Sequence, residues 1–125
     1  MKQFNGVYPI SGEDLNALPV REVGPAVEFY KTVLGFSVVA SDATAATLQR
    51  DDARLGLVRK PDHEPGGAGS CAFVVTDLDA MHRELDGRGL DLGGIRIDGW
   101  GGGRYRVFFL REAENGYCYC FTQPL

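Results

Sequence analysis

Three cysteines (Cys71, Cys118, Cys120), two histidines (His63, His82) and a glycine-rich run around Trp100 are the residues whose chemistry is most open to use. Cys118 and Cys120 alternate within an apolar segment, so a strand would set both thiols on one face, as a soft-metal or redox site would need. The same spacing suits small apolar side chains packed against a sheet, because free cysteine is commonly buried. Three cysteines cannot all pair, and same-face neighbours on one strand are poorly placed for an unstrained bridge, which implies reduced thiols in a reducing compartment. His63 falls in a stretch rich in proline and glycine, and His82 on the polar side of a helical pattern. Solvated surface side chains are the ordinary reading of both. Gly99-Trp100-Gly101-Gly102-Gly103 lacks the Lys-Ser/Thr end and the following helix of a phosphate cradle; it reads as a mobile loop carrying one large aromatic, for a ligand or for the core. No paired carboxylates, Ser-His-Asp set or Cys-His set can be assembled for acid–base or nucleophilic work.

The chain that must position these residues has 125 amino acids, 13.6 kDa, with 44% hydrophobic and 24% charged residues. That is one ordinary domain, long enough to bury a core without a disulfide or structural metal. No run approaches the roughly 20 apolar residues of a membrane helix, and Met1 to Ile10 holds no apolar stretch of signal-peptide length, so a cytoplasmic location is expected. A net charge of -4 and a pI near 5.1 argue against a nucleic-acid partner, whose footprint is basic, and favour a neutral or cationic small ligand.

The clearest element runs from Val23 to Phe36. Val23, Val27, Tyr30 and Leu34 recur at helical spacing, Pro25 suits the first turn and Gly35 the stop, which predicts a helix of about three turns after a strand over 15–20. Strands follow at 37–40, 45–49 and 54–58, with Asp51-Asp52 as a hairpin turn. Two prolines and three glycines mark a linker over about 61–69. Then the order repeats: a strand over 70–75, capping side chains at Thr76 to Asp79, a helix with Leu78, Met81 and Leu85 on one face, and strands at 94–97, 105–111 and 117–122. The expected organisation is one domain over 1–125, with a first module of about 7–60 and a second of about 70–125. It is α+β, and its internal repeat is of element order rather than of identity.

Three segments carry a resemblance: Val20 to Phe36, Ala72 to Asp79, and Arg106 to Leu110 followed by an acidic turn and an aromatic strand. In these the chain resembles the vicinal oxygen chelate superfamily of glyoxalases, bleomycin-resistance proteins and extradiol dioxygenases, over about residues 15–121. The resemblance implies two βαβββ modules, each curling a mixed sheet into a cup with its helix on the convex side and ligand or metal on the concave side. Where the family commonly has Asp-Pro-x-Gly-Asn, this chain has Glu112-Ala113-Glu114-Asn115-Gly116, with one residue inserted.

By the family's spacing, the four metal-ligand positions correspond to Leu15, Gly56, Ser70 and Cys120. Two carry no donor atom, and one hydroxyl with one thiol does not suit the oxygen- and nitrogen-preferring metals of the family. The resemblance therefore points to no metal and no cofactor, and to a cup lined by Ser70, Trp100, Arg106, Phe108, Cys118 and Cys120, with Tyr105 as an alternative to Phe108. Phe73, Val75, Tyr119 and Phe121 should meet the helices. Such a cup suits a small aromatic or amphipathic molecule, held by a resistance-type member acting as a homodimer without nucleic-acid or membrane partners. A metal-dependent lyase or dioxygenase, with ligands drawn from Glu112, Glu114, Asp52 or His63, stays open as the alternative, as does a cup filled by the protein's own side chains.

Overall fold

The computed structural model describes residues 2–10 and 12–125, with the side chain of Trp100 excepted. Among the described residues the chain forms strands β1 (Phe4–Pro9) and β2 (Leu18–Val20), helix α1 (Val23–Thr32), strands β3 (Ser37–Ser41), β4 (Ala45–Arg50), β5 (Ala53–Arg59) and β6 (Ser70–Val75), helix α2 (Leu78–Leu85), and strands β7 (Asp91–Leu92), β8 (Arg96–Trp100), β9 (Gly103–Arg111) and β10 (Cys118–Pro124). The first sheet has the order β2-β5-β4-β3; the second has β1-β6-β10-β9, with β7 and β8 both pairing β9. Leaving β1 aside, β2-β5-β4-β3 and β6-β10-β9-β8 are the same arrangement, each with its helix after the first strand. This is the α+β architecture of two mixed sheets, and it matches the two βαβββ modules.

Local chemistry explains the element ends. Asp77 caps α2 by accepting from the Ala80 amide at 3.0 Å. Gly35 adopts φ +71 beyond α1, the left-handed stop that a side chain resists. The 99–103 run is not a loop: β8 pairs β9 up to Trp100 and Gly103, leaving Gly101 and Gly102 as a two-residue turn with φ +59 and +81. Positive φ at both central positions is the geometry that matches strand twist in a tight hairpin, which is why glycine fills both.

The start of the chain differs from expectation. Residues 4–9 form a strand that runs antiparallel to β6, Phe4 opposite Val75, so it joins the sheet of the second half. The expected strand over 15–20 is confined to 18–20, because Asp14 turns the chain by accepting from the amides of Asn16 and Ala17.

One apolar core joins both halves. Phe4, Tyr30, Phe36, Leu48, Leu55, Phe73, Leu78, Met81, Tyr119 and Phe121 share a single buried cluster. Arg50 ties the periphery of that core: its guanidinium donates to Leu34 O at 2.8 Å, pairs with Glu84 at 3.0 Å and lies 4.7 Å from the Phe4 ring centroid.

Candidate functional site

Alternation along the second sheet decides which side chains share a face. Phe73, Val75, Tyr119 and Phe121 belong to the helix-covered core. The opposite face, the concave one in the arrangement the resemblance implies, therefore takes Ser70, Ala72, Cys118, Cys120 and Thr122, and the register sets Cys118 beside Ser70 and Cys120 beside Ala72. Across the β9–β10 hairpin, Cys120 faces Phe109 and Thr122 faces Val107. Ala72, Val107 and Cys120 make a small buried cluster of their own, with Tyr105 and Phe109 packed against it.

This geometry corrects two assignments. Phe108 stacks on Phe121 at 4.8 Å with the planes 5° apart, on the helix side of the sheet. Arg106 shares that side and pairs with Asp79 of α2 through two bonds of 2.8 Å. Neither reaches the concave face. The reason is strand parity: Tyr105, Val107, Phe109 and Arg111 alternate inward, so the even-numbered residues of β9 turn to α2. Trp100 has its backbone in β8, and its side chain lies outside the described residues.

Two polar features of the face were not legible beforehand. The Arg96 guanidinium sits 4.9 Å above the Phe109 ring and is paired with Asp98 at 3.2 Å. Thr122 is buried, and among the described residues its hydroxyl is the one buried side-chain polar atom without a hydrogen-bond partner. A buried hydroxyl left unpaired is costly, and this one is sealed beneath the face rather than open at its surface.

The family's metal positions do not fit an ion here. Leu15 is a partly buried hydrophobe packed against the main core, and its carbonyl accepts from the Gly56 amide at 2.8 Å. A Cβ at Gly56 would lie inside the contact distance of the Asn16 carbonyl oxygen, so no ligating side chain can stand there without moving backbone. Ser70 and Cys120 remain, and burial pushes the Cys120 thiol up to about 12, away from the thiolate that binds metal. Cys71, on the opposite face, is likewise pushed up to about 12 by burial, and Cys118 is raised by the same cause.

His63 is not solvated, whereas His82 is partly exposed. His63 is buried, hydrogen-bonded through Nε2 to Asn115 O at 2.8 Å and stacked on Tyr117 at 5.9 Å. His82 bonds Gly93 O at 3.0 Å and meets Phe108 edge-on at 4.9 Å. Both are held structurally. Asn115 also accepts the Arg21 amide through its side chain at 2.9 Å, while the Glu112 carboxylate accepts the Asn115 amide at 2.9 Å. That network closes the turn carrying the extra residue, and pairing resumes with Arg111 opposite Cys118.

Two clefts lie away from the concave face. One of about 720 Å³ runs between the 12–19 segment and the 60–69 linker, with Glu13, Asp62, His63 and Tyr117 on its walls. Another of about 370 Å³ separates α1 from the 112–117 turn.

A sequence profile of the Glyoxalase/Bleomycin resistance protein/Dioxygenase superfamily matches residues 14–117. Among solved structures, a bleomycin resistance determinant encoded on the transposon Tn5 is 24% identical over 91% of this chain and 98% of its own, with a TM-score of 0.75. A bleomycin-binding protein complexed with bleomycin is 23% identical over 92% and 100%, with a TM-score of 0.76. The bleomycin-binding protein of bleomycin-producing Streptomyces verticillus, complexed with copper(II)-bleomycin, is 27% identical over 90% and 95%, with a TM-score of 0.68. Among curated proteins none matches.

Proposed function

Since the chain belongs to the Glyoxalase/Bleomycin resistance protein/Dioxygenase superfamily, we propose that it binds and sequesters a small aromatic or amphipathic molecule of the bleomycin type on the concave face of its second sheet, without a metal of its own. The observation that carries this reading is the make-up of that face. Phe109 and Tyr105 lie over the apolar floor of Ala72, Val107 and Cys120, and Arg96 is poised above the Phe109 ring. Aromatic faces supply affinity for a planar guest and the few polar groups supply orientation. Ser70 and Cys118 border the same face. Among the described residues none on it combines a nucleophile with a base, so holding the molecule, rather than converting it, is the activity the residues suit.

Two of the similar structures are bleomycin-binding proteins, which supports the ligand class, and the likeness is one of fold. A homodimer fits the exposed apolar residues Val38, Val39 and Ile97, two of them on the fully exposed edge strand β3. Among the described residues no helix is long and apolar enough to cross a membrane. The test is a thermal-shift and calorimetric screen with metal-free bleomycin and planar aromatic natural products, run with and without chelator. Saturable stabilisation unaffected by chelator is the expected result; a full panel without stabilisation, or stabilisation abolished by chelator, removes the reading. Sedimentation over a range of concentrations tests the dimer.

A further inference from the structure

The cleft of about 370 Å³ between α1 and the 112–117 turn lies on the helix side of the second sheet, across β10 from the concave face. Its size is at the lower end of the range for small-molecule pockets, about 300–1,000 Å³. Its walls combine aromatic rings with carboxylates. Phe29 of α1 stacks on Tyr119 at 6.1 Å with planes 22° apart, and Tyr117 stacks on the same ring at 6.1 Å and 23°. Glu112 and Glu114 stand at the turn side, and no lysine, arginine or histidine is among the lining residues.

We propose that this cleft is a second binding site, for a small organic ammonium ion held between the Phe29 ring, backed by Tyr117 and Tyr119, and the Glu112 and Glu114 carboxylates. Three features carry the assignment. Half-buried Phe29 supplies the accessible ring, with buried Tyr117 and Tyr119 packed behind it, and a ring attracts a cation through its negative quadrupole, more strongly where water is excluded. Two carboxylates outweigh the partial positive end of α1, roughly half a charge, that borders the cleft through Pro25 and Ala26. Glu112 is buried, and its carboxylate takes only backbone amides of its own turn, those of Asn115 and Glu114, so that among the described residues no ion pair neutralises it. Burial raises the Glu112 pKa, and a cation alongside would relieve that cost. A carboxylic or phosphate ligand would meet the same two acids as repulsion. The site is independent of the concave face, so either can fail alone.

Choline and its uncharged carbon isostere 3,3-dimethylbutan-1-ol are the probes, followed by NMR on the isotope-labelled full chain. Choline should produce saturable shifts at Phe29, Tyr117 and Tyr119, and the isostere should bind at least about tenfold more weakly. Phe29→Leu should weaken choline binding by about tenfold, and Glu114→Gln, an exposed change that leaves the turn's hydrogen bonds intact, by about threefold. Equal binding of choline and isostere overturns the proposal, as do choline shifts confined to the 60–69 segment or an unchanged affinity in Glu114→Gln and Phe29→Leu. Concentration-dependent shifts of Phe29 without any probe overturn it too, because a second copy of the chain would then fill the cleft.

Discussion

Arg106 and Asp79 close a two-pronged ion pair, both bonds 2.8 Å, that fastens the nine-residue strand β9 to the first turn of α2. The pair belongs to the scaffold side of the sheet. Arg106 holds the Asp79 carboxyl below its usual value of 3.8. A carboxylate whose folded pKa is depressed contributes stability above its unfolded pKa and loses it as pH falls through the folded one. Asp79→Asn should therefore be less stable than the native chain at neutral pH, with the gap closing below pH 3.8. Urea unfolding of both proteins at several pH values measures this. A gap that widens on acidification contradicts it.

Phe109 is the aromatic element of the concave face that is both half-buried and topped by a guanidinium. Phe109→Ala should weaken capture of the aromatic ligand by about tenfold or more, as loss of a central aromatic anchor does. Arg96→Ala should cost about threefold, the scale of one partly exposed cation–ring contact. Isothermal titration calorimetry reads both. An undiminished affinity in Phe109→Ala places the ligand elsewhere.

The three thiols should differ in reactivity. Cys118 is half-buried, whereas Cys71 and Cys120 are buried and pushed up to about 12. Iodoacetamide acts on the thiolate, so at pH 8 Cys118 should be alkylated first, with Cys71 and Cys120 following only in denaturant. Peptide mass mapping after timed labelling decides. Rapid native labelling of Cys120 would indicate a more open face.

Gly56 is required by the passage of the chain at Asn16 rather than by any turn. Gly56→His, which restores a donor at a family ligand position, should create no metal site and should destabilise the fold by about 2 kcal/mol or more through overpacking against backbone. Chemical denaturation and elemental analysis test the two halves of that statement. Stoichiometric metal in a stable variant would refute it.

How far the sequence could be read depends on whether neighbours along the chain carry the signal. β6 spans Ser70–Val75 as its apolar run implies, and the Asp77 cap follows from side-chain type alone. The face of β9 was hidden because Tyr105, Val107, Phe108 and Phe109 are all apolar, so alternation carries no contrast; only the register against Cys120 and Phe121 resolves it. His63 looked solvated because its local composition is that of a linker, while its burial comes from Asn115 and Tyr117, distant along the chain. β1 escaped notice since Gly6 and Pro9 interrupt its pattern, and its pairing with β6 is wholly non-local.

That first strand has a consequence for how the molecule comes into being. Phe4 meets Val75, so during synthesis β1 must wait, its amides solvated, until residue 75 has cleared the ribosome. The closing of that long loop falls late, and it is the step at which a nascent chain is most exposed to pairing with a neighbour instead of with itself.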